Sequence, residues 1–456
     1  MLARYLWLAL LEPALADWYT YPVKSINLTS AATPVFYNGY WPGNYAGFGE
    51  LGEAHMVYGI ATSDGGVVMC GKGAEGVEDT PGAAFVDAVV MKTDADGTVQ
   101  WTWRSNVLNS NDVCSGMAQL PSGGDVLVAG YETLSNVATG FIAALNLSTG
   151  APSWSSFASF PAASTGSHSA LESVSVSSSD GVLVPGVYGI STNDEMAFHS
   201  YGNVPDGTAI LYKFPIAAFE GSTPPTVADA SWSTTFPTLT SVKAAYFMPD
   251  GKVAALITSE TETSLAVLNG GTGLVEWGPI DFHSVHGEAT DMKVSDDGTT
   301  IVMSGQGAAS VGGLSGRLTG VNAATGSHLW TTTFSAGGTP TLIFNECWGV
   351  APIADGGFAV SCGTGIEDCS GDRNTADCLA GNGDPRPGAY TRPQGVWQSL
   401  TARFDSGGTL LWQRVDSFKE STWPALGQPG WVVSSSAAEY IVTKSDGTIY
   451  IVMDDP

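Results

Sequence analysis

One two-part unit, copied along most of the chain, constrains this sequence more than any other feature. Its first half is an apolar run, a turn containing Asp-Gly or Gly-Gly, and a second apolar run. Met56-Val57-Tyr58-Gly59-Ile60, then Ser63-Asp64-Gly65-Gly66, then Val67-Val68-Met69-Cys70 show it plainly. The turn returns at Ser122-Gly123-Gly124, Asp180-Gly181, Asp250-Gly251, Asp297-Gly298, Asp355-Gly356 and Asp446-Gly447, which makes seven occurrences. Such dipeptides accept the positive φ of a tight hairpin at little cost. The flanking runs are rich in Val, Ile and aromatic residues, as strands require.

The second half of the unit is an alternating strand, a Gly-containing turn and a Trp. Gly97 and Trp101, Gly150 and Trp154, Gly273 and Trp277, Gly326 and Trp330, and Gly408 and Trp412 are each four residues apart. Trp232 takes the same place in the third unit, without the preceding Gly and after a longer loop. An indole on the strand after a hairpin turn suits packing against a neighbouring module. Each unit thus supplies about four short strands, at the spacing of propeller blades. One blade cannot bury both faces alone, so the units must stack around an axis. The sequence therefore predicts an all-β chain forming a single β-propeller of about seven four-stranded blades over residues 17–456.

The seventh unit is partial. It holds Glu439 to Lys444, the turn at Asp446-Gly447 and Thr448 to Met453. The expectation is a ring closed by pairing N- and C-terminal strands, with Trp18 to Leu28 as donor. In that arrangement Trp18 or Tyr19 fills the place of the repeated Trp.

Ala144-Leu145-Asn146-Leu147-Ser148-Thr149-Gly150-Ala151-Pro152-Ser153-Trp154 resembles the repeat of quinoprotein-like (PQQ-like repeat) propellers, with its Ala-x-Asp/Asn, Thr-Gly and Trp. Val321-Asn322-Ala323-Ala324-Thr325-Gly326 through Trp330 is similar, as is Leu268-Asn269 through Thr272-Gly273 to Trp277. The resemblance implies an architecture only, because many functions share this repeat. The cofactor-dependent dehydrogenases of that family carry adjacent cysteines over the quinone, and this sequence has no Cys-Cys pair. No cofactor is expected, and no specific motif supports Ca2+.

Charge narrows the partners. Lys plus Arg total 17 against 44 Asp plus Glu, a formal net charge of -27. Such a surface repels nucleic acid and anionic lipid, so neither is an expected partner. Residues 1–16 read as a secretory signal, with Arg4 as the basic start, Tyr5 to Leu11 as the apolar region and Ala14-Leu15-Ala16 as the cleavage box. Glu12 and Pro13 sit unusually close to that apolar run. No later segment offers the roughly 18 apolar residues of a spanning helix, so membrane insertion is not expected.

Six cysteines, Cys70, Cys114, Cys347, Cys362, Cys369 and Cys378, agree with an extracellular, disulfide-forming location. The repeat places Cys347 and Cys362 on adjoining strands of one hairpin, and has Cys70 and Cys114 linking neighbouring blades. Cys369 and Cys378 would close a small loop. Asn27-Leu28-Thr29 and Asn146-Leu147-Ser148 are sequons, glycosylated if the host is eukaryotic.

Catalytic motifs are missing from the sequence. There is no convincing nucleophile elbow, and His283 and His286 lack a metalloprotease frame. Glu288 with Asp291, or Asp194 with Glu195, are carboxylate pairs of the kind a glycosidase uses. No motif picks them out from solvated surface acids. Asp94-Ala95-Asp96-Gly97 lies at the ordinary turn position and reads as a turn rather than a calcium loop.

Three insertions interrupt the repeat, near 191–207, 217–230 and 363–398, and loops are where a propeller keeps its contacts. The last carries Glu367, Asp368, Asp372, Arg373 and Asp377 beside its two cysteines, and is the candidate interaction loop. The sequence thus points to a secreted, non-catalytic structural or interaction protein, meeting an extracellular protein, a glycan or its own copies. The alternative is a secreted carbohydrate-active enzyme using carboxylates at the channel mouth.

Overall fold

A computed structural model of the chain describes residues 55–74, 86–95, 98–105, 112–134, 137–160, 167–190, 207–259, 261–308, 314–335, 344–366, 396–416, 419–420, 432–433, 437–444 and 449–454. The expected signal segment, the donor Trp18 to Leu28, the sequon at Asn27, and Cys369, Cys378, Glu367, Asp368, Asp372, Arg373 and Asp377 lie outside the described residues.

The strands follow the repeat. Blade one holds β1 (His55–Ala61), β2 (Val67–Ala74), β3 (Val86–Thr93) and β4 (Val99–Arg104). Blade two holds β5 (Val113–Gln119), β6 (Asp125–Leu134), β7 (Val137–Asn146) and β8 (Ala158–Phe160). In blade three the inner strand is split into β9 (His168–Leu171) and β10 (Ser175–Ser177), followed by β11 (Gly181–Ile190), β12 (Thr208–Phe214) and β13 (Trp232–Phe236). Blade four holds β14 (Ser241–Phe247), β15 (Val253–Thr258), β16 (Thr263–Leu268) and β17 (Val275–Asp281). A one-turn helix, α1 (His283–His286), leads into blade five: β18 (Glu288–Val294), β19 (Thr300–Ala308), β20 (Leu314–Asn322) and β21 (His328–Phe334). Blade six holds β22 (Phe344–Pro352), β23 (Phe358–Ile366), β24 (Val396–Phe404) and β25 (Leu410–Asp416). A small pair, β26 (Lys419–Glu420) with β27 (Val432–Val433), precedes the last hairpin, β28 (Ala437–Thr443) and β29 (Ile449–Asp454).

The all-β propeller is therefore present, with a difference in blade count. Among the described residues six blades are complete, and the seventh unit is the two-stranded sheet β28–β29. Each inner strand touches the next around the axis, β1 with β5, β5 with β10, β10 with β14, β14 with β18, β18 with β22, β22 with β28, and β28 with β1. The short hairpin is wedged between blades six and one. Thr443 Oγ1 donates to the Pro352 carbonyl at 2.8 Å, and Lys444 Nζ donates to the Gly65 carbonyl. A Cβ on Gly59 would stand 2.7 Å from Val452, so β1 needs a glycine there to lie against the hairpin.

The central strands are buried on both sides. Every residue of Val253–Thr258 and Thr263–Leu268 is buried. That is why these segments read as near-continuous apolar runs rather than as clean alternation. Inter-blade surfaces collect them into successive clusters, one of which joins Val68, Met91 and Trp101 of blade one to Phe141 and Leu147 of blade two and to Tyr440 and Val452.

The Gly–Trp spacing has a more specific cause than a local turn. Trp101 donates Nε1–H to the Leu147 carbonyl at 2.8 Å, Trp232 to Gly270 at 3.0 Å, and Trp277 to Ala323 at 3.0 Å. Each indole therefore caps the outer turn of the following blade. Gly150 has φ 71° and Gly273 has φ 72°, and a Cβ at either would lie 2.7 Å from the indole arriving from the preceding blade. The glycine and tryptophan that are neighbours in sequence thus serve two different interfaces. The Gly accepts the previous blade's ring, and the Trp reaches the next blade.

Two disulfides match the expected pairings. Cys70–Cys114 joins β2 to β5 across blades one and two. Cys347–Cys362 joins directly opposed residues of β22 and β23.

Candidate functional site

The inner strands carry a defect at matched positions. A β-bulge falls at Met56/Tyr58, Cys114/Gly116, Val242/Ala244, Ala289/Asp291, Cys347/Gly349 and Ala438/Tyr440. A bulge bends its strand and re-aims the side chains beside it. Two of the extra residues reach sideways to the next blade: Ser115 donates to the Leu171 carbonyl at 2.6 Å, and Thr290 donates to the Cys347 carbonyl.

Beside the bulges, side chains from four blades meet in a polar cluster. Lys293 Nζ donates to Tyr246 at 2.5 Å, to Tyr440 at 2.9 Å and to both oxygens of Asp291 at 3.0 and 2.9 Å. The ammonium also lies 4.2 Å from the centroid of the Tyr246 ring, close enough for a cation–π contribution. Tyr58 stacks on Tyr440 with centroids 4.1 Å apart, and its hydroxyl is 3.4 Å from that of Tyr246. Asp291 Oδ2 also accepts the Val350 N–H at 3.2 Å. Tyr58 belongs to blade one, Tyr246 to four, Asp291 and Lys293 to five, Val350 to six and Tyr440 to the last hairpin. One cluster therefore ties five of the seven units together.

The cluster is buried at Asp291 and Tyr440 and partly exposed at Lys293 and Tyr246. Asp291 is 4% exposed and Tyr440 4%. Burial, reinforced by the Asp291 charge and the neighbouring phenols, lifts the hydroxyls of Tyr246 and Tyr440 well above the usual phenol range. Both phenols therefore stay protonated. Lys293 is only partly buried, and its three donor directions are met by a carboxylate and two phenols.

A second pair lies on the side of blade three. Glu172, in the break between β9 and β10, accepts Lys243 Nζ at 3.0 Å and Ser241 Oγ at 2.8 Å. Blade three is thereby fastened to blade four.

The sequence candidates are dispersed. Asp291 belongs to the central cluster, whereas Glu288 accepts the Gln306 amide at 3.2 Å. His286 is buried, with Nδ1 2.8 Å from Thr319 Oγ1, and burial followed by the Arg317 charge lowers it to about 3. It is a neutral interior histidine. Among the described residues no group of three or more His, Cys, Asp or Glu is placed to hold a metal ion. Asp94 caps its own turn, accepting the Thr98 N–H at 2.9 Å. Asp194 and Glu195 lie outside the described residues.

Of the three insertions, 217–230 is described, and it serves packing. Its Gly221 carbonyl accepts Trp154 Nε1–H at 3.0 Å, and Phe219 is fully buried beside that indole. It replaces the tight turn that the other blades offer. Sequence reasoning missed Tyr58, Tyr246, Lys293 and Tyr440. Counting back six residues from the turn Asp reaches Tyr58, Asp291 and Tyr440, and counting back four reaches Tyr246 and Lys293. A lysine and an aspartate at otherwise apolar or aromatic places were the available signal.

No protein-family model and no curated protein matches the chain. Among solved structures it is similar to the periplasmic gluconolactonase of Pseudomonas aeruginosa, at 13% identity over 68% of this chain and 81% of that one, with a TM-score of 0.41. It is also similar to Sqt1 from Chaetomium thermophilum, at 13% identity over 89% and 96%, TM-score 0.43. A third is the quinohemoprotein alcohol dehydrogenase of Comamonas testosteroni, at 10% identity over 89% and 66%, TM-score 0.40. No residue role in this chain rests on these likenesses.

Proposed function

We propose that this chain is a non-catalytic extracellular propeller, acting as a structural or interaction scaffold that meets a protein or glycan partner or further copies of itself. We also propose that its ring has seven blades, the last completed by the N-terminal segment. The observation that supports the scaffold reading is the Lys293 cluster. Enzymes keep charged groups poised for a substrate, whereas here the ammonium and carboxylate are each spent on fastening blades to one another. The two disulfides and the absence of a spanning helix among the described residues are compatible with an extracellular or periplasmic location. The acidic surface suits a soluble exported protein.

The up-and-down strand order sends two of the three insertions to one face. Segments 191–207 and 363–398 both connect the second and third strands of a blade, so both leave from the same end of the ring. That end is the proposed contact face.

Isolation of the native protein without denaturation tests the reading. A stable co-purifying partner or ordered polymers in negative-stain images support it. Turnover on a glycan panel that is abolished by Glu288→Gln or Asp291→Asn would favour the carbohydrate-active enzyme instead.

A further inference from the structure

His286, just ahead of blade five, and His328, on its outer strand, are joined by a continuous hydrogen-bond chain. His328 opens β21 at the rim and is exposed, whereas His286 closes α1 and is fully buried. His328 Nε2 lies 2.9 Å from Thr331 Oγ1, and Thr331 Oγ1 lies 3.0 Å from Thr319 Oγ1. Thr319 Oγ1 in turn lies 2.8 Å from His286 Nδ1. Register explains the middle link, since Thr319 of β20 stands directly opposite Thr331 of β21. The helix α1 touches β16 of blade four as well as β19 and β20 of blade five, so the inner end of the chain lies where the two blades meet.

Proton counting makes this chain a two-state element. Each threonine hydroxyl has one hydrogen to give, so the two hydroxyls supply two of the three links. The third hydrogen must come from one imidazole and only one, or else two hydrogens meet in a single link. With His328 neutral the chain runs outward: His286 Nδ1–H donates to Thr319, Thr319 to Thr331, and Thr331 to His328 Nε2. That direction suits the buried ring, because its Nε2 is enclosed without a hydrogen-bond partner, and an N–H there would lose its hydration without compensation. Protonated His328 has an N–H at both nitrogens, so Nε2 donates and every link must run inward. His286 Nδ1 then accepts, and the hydrogen of that ring moves to Nε2. There it turns towards the Ser304 backbone, the neighbour that favours a proton on this ring.

We propose that His328, Thr331, Thr319 and His286 form a relay in which protonation of the exposed ring changes the tautomer of the buried one. The rim of blade five thereby reports pH to the interface with blade four without burying a charge. One proton is taken up and rests on His328, while His286 exchanges one N–H for the other and stays neutral. Burial first, then the Arg317 charge, lower His286 to about 3, with His283 adding to them and the Ser304 backbone acting the other way. Arg317 is held over the helix by donating Nη1–H to the Val285 carbonyl at 2.9 Å. Of the elements packed against α1, β16 and β19 carry no charged group, and β20 carries Arg317 alone. Asp281 accepts the His283 N–H at 2.8 Å, and Glu288 accepts the Gln306 amide. His328 is itself the one titratable group of β21.

Imidazole nitrogen-15 NMR of the full chain tests the relay as pH is lowered from about 8 to about 5, the range in which histidine changes charge. His286 should carry its hydrogen on Nδ1 at the start and on Nε2 at the end, with the same midpoint as the titration of His328. Thr331→Val should leave His328 titrating and His286 fixed in the Nδ1–H form. Thr331→Ser keeps the hydroxyl and should keep the coupling. An unchanged His286 tautomer while His328 titrates overturns the proposal, as does a tautomer change that survives in Thr331→Val. A charged His286 anywhere in that range overturns it too.

Discussion

The axis and the rim of this propeller are held together by different means. At the rim one contact is copied from blade to blade, an indole laid under the glycine turn of its neighbour. At the axis a single unrepeated cluster, Tyr58, Tyr246, Asp291, Lys293 and Tyr440, joins blades that are not adjacent in sequence. Rim contacts link only nearest neighbours, so each one lost loosens one interface. Side chains of four units, and the Val350 N–H of a fifth, meet in the axial cluster, so its loss is felt around the ring.

The largest effect separating the two regions is predicted for Lys293→Ala. Asp291 would remain buried without its counter-charge, and breaking a buried pair in this way costs about 3–5 kcal/mol. Chemical denaturation should show it as a large fall in the transition midpoint. A loss under about 1 kcal/mol would make the cluster no better than a surface ion pair. At the rim, Gly273→Ala combines positive φ with a collision against Trp232 and is expected to cost about 3 kcal/mol. Trp277→Phe should cost about 1–2 kcal/mol, since it keeps the packing and strands the Ala323 carbonyl. If Trp277→Phe proves costlier than Lys293→Ala, the ranking of axis over rim is wrong.

The smallest effect concerns Asp64 at the first turn. Burial acts to raise its pKa, but Lys92, Thr62 and the Gly66 N–H outweigh it and bring it to about 2. A depressed carboxylate contributes in full above its unfolded value near 4 and loses that contribution as pH falls through about 2. The group is half exposed, so the contribution is screened to under about 1 kcal/mol. The stability gap between the wild type and Asp64→Asn should therefore be small at neutral pH and vanish between pH 4 and 2.

Legibility in the sequence followed the same division. The rim was readable because physics repeats there: a positive-φ turn needs Gly, and the adjoining blade needs an indole, so the pair recurs. Trp232 was placed correctly even without its glycine, and Cys70–Cys114 and Cys347–Cys362 followed from strand order. The axis was not readable, because side chains of unlike chemistry stand at matched places on the inner strands, Asp291 where Tyr58 and Tyr440 stand and Lys293 where Tyr246 stands. Asp291 drew notice as a possible acid and turned out to be a fastening. His286, which lacks a metal-binding frame in the sequence, is a neutral core residue rather than a loop histidine. The blade count differs at the seventh unit, where the repeat is broken after one hairpin, so that six blades are complete among the described residues.

The hydroxyls of Tyr246 and Tyr440 are taken up by Lys293 and by packing rather than presented to solvent. Alkaline spectrophotometric titration, comparing the wild type with Tyr246→Phe and Tyr440→Phe, tests it most directly. Phenols with raised pKa values stabilise the fold fully below the unfolded value and lose that contribution only as pH rises beyond it. The account predicts that neither substitution changes the absorbance rise near pH 10, because both phenols ionise only when the protein unfolds. A normal phenol vanishing from that rise in either variant would show a wet, accessible axis and contradict the scaffold reading.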